Sequence, residues 1–172
     1  MTAAQALCGA VIQMSSLTQL SLPECVVTGG VLLQLSLLPR LEAITISPSP
    51  PTNKLSGEVS HGFPLIRSLE IPNETFLSWF ASYPVLDLEI LKAMGLGGKA
   101  LRMIARKFPN LRQISIGGTS FDPRELSVMG ACFQLEAIEI SVKYPLEMDD
   151  LDLDRFRAMF PKLNTFSIVI RD

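Results

Sequence analysis

The sequence predicts an α/β solenoid, a stack of strand–helix repeats with a curved parallel sheet inside and short helices outside. One observation is an apolar phrase that returns every 22 to 28 residues along the 172-residue chain. A second is the alternation of apolar and polar residues at the end of each phrase, which is the period of a strand with one buried face. A third is that stretches between the phrases have helical spacing, and several end in an aromatic residue followed by proline.

The repeated phrase has the form L-x-x-L-x-L, with Ile or Phe at some of its apolar positions. The fourth copy, YPVLDLEILKA, can begin at Leu86, which keeps its spacing from Pro84, or at Leu88, which supplies Leu88 and Leu91 but ends on Ala93; we adopt Leu88. No copy can bury its own apolar face alone, so each requires its neighbours. About seven copies are present, and they begin at Leu17, Leu41, Ile66, Leu88, Leu111, Leu135 and Leu163.

Each strand is followed by a helix-compatible stretch and then by the next strand. A connection of this kind stacks successive strands in parallel. We therefore expect Ile44, Leu69, Ile114 and Ile138 to occupy neighbouring parallel strands of one sheet.

Four stretches between the phrases predict helices on the outer side, at residues 74–84, 97–109, 121–133 and 151–161. In the third, Asp122 is the expected N-cap and Pro123 the first helical residue, and Leu126, Met129 and Phe133 recur at helical spacing. In the first, the only tryptophan, Trp79, is expected to pack in the interior. The three glycines of GLGGKA, residues 95–100, predict a turn before the second helix.

Two regions depart from the repeat. Ser47 to Gly62 is rich in Pro, Ser and Gly, which predicts an irregular loop in place of a helix. Residues 3–16 are typical of the helix of a preceding repeat, and the sequence closes just after the strand around Ile168 without a polar capping unit. We therefore expect residues 1–172 to form a single repeat domain that is a fragment of a longer array.

The composition narrows the class of function. A net charge of −2 with scattered Lys and Arg residues disfavours nucleic acid as a partner. Cys8, Cys25 and Cys132 are odd in number and widely spaced, which is typical of reduced thiols in the cytosol or nucleus. No apolar run reaches the length of a membrane span. The expected location is therefore cytoplasmic or nuclear, without a membrane partner.

The sequence offers no set of residues for catalysis. His61 is the only histidine and lies in the irregular loop, and no C-x-x-C pair accompanies it. Gly95, Gly97 and Gly98 lack the remainder of a phosphate-binding loop. The acidic run that begins at Glu147 lacks the central glycine and final glutamate of a calcium loop. We expect a protein that is not an enzyme and that has no catalytic residues, no metal site and no cofactor.

The first phrase, LTQLSLPEC, matches the consensus L-x-x-L-x-L-x-x-N/C through Cys25, while Ser49, Glu74 and Thr119 replace the Asn or Cys in later copies. The chain thus resembles leucine-rich-repeat proteins over roughly its whole length. Its FP-x-L phrases are similar to the repeat region of F-box-type proteins, especially those of fungi. That resemblance implies repeats that bind a protein to be ubiquitinated, although no F-box segment is seen in this sequence.

We therefore expect a protein–protein recognition module, and specifically the substrate-binding part of an F-box-type ubiquitin-ligase receptor. The alternatives are a stand-alone leucine-rich-repeat scaffold or adaptor unconnected with ubiquitin, and a truncated product that is unstable alone. The identity of the protein partner does not follow from the sequence. The candidate binding residues are those expected to face outward from the concave side of the sheet: Gln19, Ser21, Thr45, Ser68, Glu70, Gln113, Ser115, Glu139, Thr165 and Ser167.

A second pattern follows the first apolar residue of successive phrases, where Glu42, Arg67, Glu89, Arg112 and Glu136 alternate in sign. Neighbouring parallel strands lie about 4.8 Å apart, so these side chains are predicted to form a ladder of opposite charges. We interpret this charge ladder mainly as a device that favours correct repeat register, with a role in partner binding as the alternative.

Overall fold

A computed structural model describes residues 13–22, 27–47, 62–85, 87–118, 123–142 and 150–170. The helices α1 to α4 span Gly29–Leu35, Glu74–Ala81, Gly98–Lys107 and Asp150–Met159, and a 3-10 helix spans Pro123–Ala131. The strands β1 to β7 span Gln19–Leu22, Ala43–Ile46, Ser68–Ile71, Ile90–Met94, Gln113–Gly118, Ala137–Val142 and Thr165–Ile170.

The seven strands form one open sheet in the order of the chain, and every neighbouring pair is parallel. Ile44 lies opposite Leu69, and Ile114 lies opposite Ile138. Leu91 lies between Leu69 and Ile114, which confirms the alignment of the fourth phrase on Leu88. The predicted α/β class and the predicted order of parallel strands are therefore confirmed.

A repeated backbone fork joins each strand to the next at its amino end. The Glu42 carbonyl accepts hydrogen bonds from two successive N–H groups, those of Arg67 at 2.8 Å and Ser68 at 3.1 Å. The forks recur at each step along the sheet with distances of 2.8 to 3.1 Å, and their acceptors are the carbonyls of Thr18, Glu42, Arg67, Glu89, Arg112 and Glu136. Each fork holds the residue that follows the first apolar residue of its phrase. These residues are therefore aligned in one column across the sheet, at the amino ends of the strands.

The core lies on one face of the sheet, between the strands and the helices. Ile114 of β5, Leu101 and Ile104 of α3, and Leu111 before β5 all belong to one buried apolar cluster. This arrangement follows from the sequence. The apolar residues of α3 recur at helical spacing and so lie on one side of the helix, and alternate residues of each strand lie on one face of the sheet; these two apolar surfaces pack against each other.

Trp79 is packed in this core, as predicted, with 7% of its surface exposed. Its ring centroid lies 5.9 Å from that of Phe63, 5.2 Å from that of Phe80 and 4.7 Å from that of Tyr83. The first predicted outer helix, α2, therefore packs against the segment before β3 through an aromatic cluster. The predicted turn before α3 is also present, since Gly95 adopts a φ of 63° and Gly97 is the N-cap.

The segment after β5 differs from the prediction, because residues 123–131 form a 3-10 helix. Leu126, Met129 and Cys132 are fully buried, whereas Phe133 is 56% exposed. A 3-10 helix has three residues per turn, so a buried stripe with a spacing of three residues matches it better than an α-helix. The prediction that Phe133 completes the apolar face was wrong, and Cys132 takes that place. Asp122 lies outside the described residues.

Other sequence-based interpretations also concern residues outside those described. They are the loop from Ser47 to Gly62 apart from its two end residues, most of the predicted helix at residues 3–16, and His61, Cys8, Cys25 and the acidic residues at 147–149. Gly62, at the end of the loop, has a φ of 63°.

Candidate protein-recognition face

One face of the sheet, opposite the core, carries the candidate binding residues; we call it the open face. Its side chains form two rows that run across the strands in register. The first row is Gln19, Ala43, Ser68, Ile90, Gln113, Ala137 and Thr165, and the second is Ser21, Thr45, Glu70, Lys92, Ser115, Glu139 and Ser167. All fourteen are exposed or half-buried, whereas Ile44, Leu69, Leu91, Ile114 and Ile138 between the rows are buried.

The structure thus brings the ten sequence-predicted candidates onto a single face and adds two central residues that sequence reasoning missed. Ile90 and Lys92 of β4 lie in the first and second rows. Starting the fourth phrase at Leu88 already assigns Ile90 and Lys92 to these positions, so the signal was present in the sequence. They matter because they place an apolar side chain and a cation in the middle of the face.

A shallow depression of about 140 Å³ crosses β4 to β7 on the open face. Ile90 and Ala137 contribute apolar surface, while Lys92, Gln113 and Glu139 contribute polar groups. The Ser115 hydroxyl donates a hydrogen bond of 2.8 Å to Oε1 of Glu139. That bond holds the carboxylate in place on the sheet while Lys92 remains exposed on the other side of Ser115.

The electrostatic pattern of the second row is mixed. Glu70 and Lys92 are register partners on neighbouring strands, and Glu139 lies two strands beyond Lys92. Neighbouring strands lie about 4.8 Å apart, so Lys92 and Glu139 are separated by about 10 Å across the sheet. The face therefore offers one cationic and two anionic positions around a small apolar patch, which suits a polypeptide better than a small, uniformly charged ligand.

The charge ladder lies along the amino edge of the sheet. Arg112 makes a bidentate pair with Glu136, with Nε to Oε1 at 3.0 Å, Nη2 to Oε1 at 2.8 Å and Nη2 to Oε2 at 3.0 Å. Arg67 reaches Oε1 of Glu89 with one nitrogen at 3.2 Å. Two of the predicted cross-strand pairs are therefore formed. Both arginines are more than half exposed, so each pair contributes only about 0–1 kcal/mol to stability.

The ladder also borders an open groove beside the open face. Asp87, Asn110 and Gln134 precede the first apolar residue of their phrases, and they form a second column next to the ladder. The groove is lined by Arg67, Asp87, Glu89, Asn110, Arg112 and Gln134. The groove adjoins the open face along β3 to β6 and adds a polar edge to it.

Two observations among the described residues concern metal binding and thiol chemistry. No group of three His, Cys, Asp or Glu residues that could hold a metal ion occurs among them. Burial raises the pKa of the Cys132 thiol to about 11, so this thiol is protonated near neutral pH and is a poor nucleophile. Cys132 instead donates a weak hydrogen bond from Sγ to the Phe108 carbonyl at 3.7 Å.

None of the helices within the described ranges combines the length and apolarity needed to cross a bilayer. A comparison with known protein-family models finds no match for this sequence, and a comparison with curated proteins finds no significant relative.

Proposed function

We propose that this chain is a leucine-rich-repeat recognition module that binds a partner protein on its open face. The observation that carries the proposal is a seven-stranded parallel sheet with one face buried and the other lined mostly by polar side chains. A sheet built from similar repeats presents a broad surface assembled from equivalent positions, which is how repeat proteins bind macromolecules. The repeated phrase and the backbone forks support the assignment to this repeat class.

The mixed chemistry of the face supports a protein as the partner. Ile90 and Ala137 provide a small apolar centre, and Lys92 and Glu139 provide charges that fix register and orientation. In protein interfaces the apolar centre contributes most of the affinity, while surrounding charges contribute specificity and association rate. With a net charge of −2, the chain has no electrostatic attraction for nucleic acid as a whole.

In its most specific form, the proposal is that the chain is the substrate-binding part of an F-box-type ubiquitin-ligase receptor in the cytoplasm or nucleus. The support is the resemblance of the FP-x-L phrases at Phe108 and Phe160, and of the related FPLI at Phe63, to the repeats of that class. An F-box recruits the ligase, and the repeats select the protein that is ubiquitinated. The chain then acts without catalytic residues, metal or cofactor of its own.

The experiment is to read the gene upstream of Met1 and to purify its full product with an affinity tag from its own cells. An in-frame F-box together with co-purification of the ligase adaptor supports the ubiquitin form of the proposal. An upstream sequence without an F-box and a purification that never recovers the adaptor refute that form. They favour the alternative, a scaffold or adaptor that uses the same open face without ubiquitin.

A matched pair of surface variants tests the open face itself. The double variant Lys92→Glu and Glu139→Lys reverses the two central charges, whereas Arg102→Glu and Lys107→Glu alters exposed positions of α3. Partners that bind the open face are lost from the first variant and retained by the second. Equal recovery of all partners by both variants rules out this face as the recognition surface.

A further inference from the structure

A groove runs along the amino edge of the sheet, beside the open face but with lining residues of its own. It has a volume of about 370 Å³, and its walls are the charge ladder and the column of residues that directly precede the first apolar residue of each phrase. Its lining begins at Arg67 of the third phrase and ends at Gln134 of the sixth. The groove therefore lies within the inner repeats, and each of its lining residues has a neighbouring repeat on both sides.

Each end of the groove carries an exposed apolar side chain. Leu65 is 46% exposed and occupies, in the third phrase, the position that Asp87, Asn110 and Gln134 occupy along the groove. Phe133 is 56% exposed and directly precedes Gln134, where the FP-x-L phrases have proline. Apolar side chains of this size gain from burial against a partner, and an exposed aromatic ring is a suitable anchor for one.

The charges between these two ends leave an acidic centre. Arg112 is held by both carboxylate oxygens of Glu136, and Arg67 contacts only Oε1 of Glu89. Asp87 is exposed in the wall of the groove and makes no ion pair within the described residues. Asp87 and Glu89 belong to the same phrase and both line the groove, so its centre offers carboxylate oxygens to a cation.

The repeat spacing fixes the spacing of a ligand that contacts all three positions. Leu65 and Phe133 belong to the third and sixth phrases, so three strand spacings, or about 14 Å, separate their repeats. In an extended chain, residues four positions apart point to the same side and lie about 13 Å apart. The residue midway between them lies about 7 Å from Leu65, beside Asp87 of the fourth phrase. Arg40 and Lys162 occupy the same column beyond the two ends, which confines the acidic centre to the middle.

We propose that this amino-edge groove binds an extended segment of a partner protein with an apolar residue, an arginine or lysine two positions later, and a second apolar residue two positions after that. The apolar side chains cover Leu65 and Phe133, and the central cation pairs with Asp87 and Glu89. A small amine fits less well, because it cannot reach both apolar ends of a groove about 14 Å long. The groove is a second recognition surface and does not depend on the one proposed for the open face.

The probe is the synthetic peptide GLSRSLG with blocked ends, titrated into the isotopically labelled full chain and followed by amide chemical shifts. Saturable shifts centred on Asp87 and Asn110 are expected, with half-saturation below about 1 mM. The peptide GSLRLSG has the same composition, but its leucines directly flank the arginine and point to the opposite side of an extended chain. It is expected to bind at least about fivefold more weakly. Absence of binding by the first peptide, or equal binding by the two, overturns the proposal.

A charge exchange tests the acidic centre. Asp87→Lys is expected to weaken binding of GLSRSLG at least about fivefold and to restore binding of GLSESLG, in which glutamate replaces the arginine. Restored binding also shows that the variant is folded. Asp154→Lys makes the same change of charge at an exposed position of α4 and is expected to alter binding by less than about twofold. Failure of the exchange, or equal effects of the two variants, overturns the pairing of the cation with Asp87.

A comparison of exposed apolar residues tests the two ends. Leu65→Ser and Phe133→Ser are each expected to weaken binding about three- to tenfold, because each removes an apolar contact with the peptide. Leu37 is 53% exposed but lies before the second phrase, outside the groove, so Leu37→Ser is expected to change binding by less than about twofold. Equal effects of all three variants mean that charge alone holds the peptide, which overturns the proposal. Loss of peptide binding in Lys92→Glu with Glu139→Lys would place the peptide on the open face and refute the groove.

Discussion

Gly62 and Gly95 both have a φ of 63°, so comparing substitutions at the two positions tests the packing of the connections between repeats. A Cβ on Gly62 would lie 2.7 Å from Cδ and 2.9 Å from the carbonyl oxygen of Pro84, whereas a Cβ on Gly95 meets no atom within 4 Å. Gly62 precedes Phe63, whose N–H donates to the same Pro84 carbonyl at 3.3 Å. It therefore sits where the third repeat is attached to the fourth.

The two alanine variants separate backbone strain from steric collision. A left-handed conformation costs an alanine about 1–2 kcal/mol relative to glycine, and the more restricted unfolded chain offsets about 0.4–1 kcal/mol of that. Gly95→Ala is thus expected to lower the free energy of unfolding by about 1 kcal/mol. Gly62→Ala carries the same strain plus a collision with a proline ring and a backbone oxygen, for a total of about 2–4 kcal/mol.

Urea unfolding followed by Trp79 fluorescence measures both variants, since Trp79 is buried against Phe63. The expected result is a lower urea midpoint for Gly62→Ala than for Gly95→Ala, which corresponds to a free energy of unfolding lower by at least about 1 kcal/mol, with the same dependence on urea. Equal losses for the two variants, or a larger loss for Gly95→Ala, would refute the assignment of Gly62 to a crowded joint.

Three further predictions concern the ladder, the core and the buried thiol. A double-mutant cycle on Arg112 and Glu136 is expected to give a coupling of about 0.5–1 kcal/mol that falls in 1 M salt, and a salt-independent coupling would contradict an exposed ion pair. Ile138→Ala is expected to cost about 2–5 kcal/mol of unfolding free energy, against less than about 0.5 kcal/mol for Ala137→Ser on the open face; similar losses would mean that the two faces are misassigned. Burial raises the pKa of the Cys132 thiol from 9.0 to about 11, so ionisation favours the unfolded chain and stability falls as pH rises through that interval. Cys132→Ala should lose this part of the pH dependence in pH-dependent unfolding, and an unchanged dependence would show that the thiol is not buried.

Much of the fold could be predicted because the apolar phrase encodes both strand position and register. Leu69, Leu91 and Ile114 align in the structure as the phrase alignment requires, even though the fourth copy is irregular. The reason is physical: a shift by one residue would move every apolar side chain of a strand to the solvent side. The charge ladder was predictable for the same reason, since residues at equivalent positions of parallel strands become neighbours.

The local form of the outer segments was harder to predict. Leu126 and Met129 fit both an α-helix and a 3-10 helix, and only the burial of Cys132 in place of Phe133 distinguishes the two. That choice depends on packing against α3 rather than on spacing alone. The crowding at Gly62 likewise depends on Pro84, more than twenty residues later in the chain, so no local pattern reveals it.

The sequence predicts which residues lie on the open face, but it does not predict where on that face the depression lies. Row positions follow from strand alternation, which placed the ten candidates correctly on one side of the sheet. The depression between Ile90, Gln113 and Ala137 depends on side-chain size across four strands. The hydrogen bond from Ser115 to Glu139 depends on their conformations, which a repeat pattern does not specify.

The most direct test of the central claim is a quantitative comparison of partner recovery by the tagged full chain and its two double charge variants. Recognition through the open face predicts a defined set of proteins that Lys92→Glu with Glu139→Lys loses and that Arg102→Glu with Lys107→Glu retains, with both variants unfolding at the same urea concentration as the parent. Recovery of the same set by all three chains, or loss only with the α3 variant, would contradict recognition through the open face.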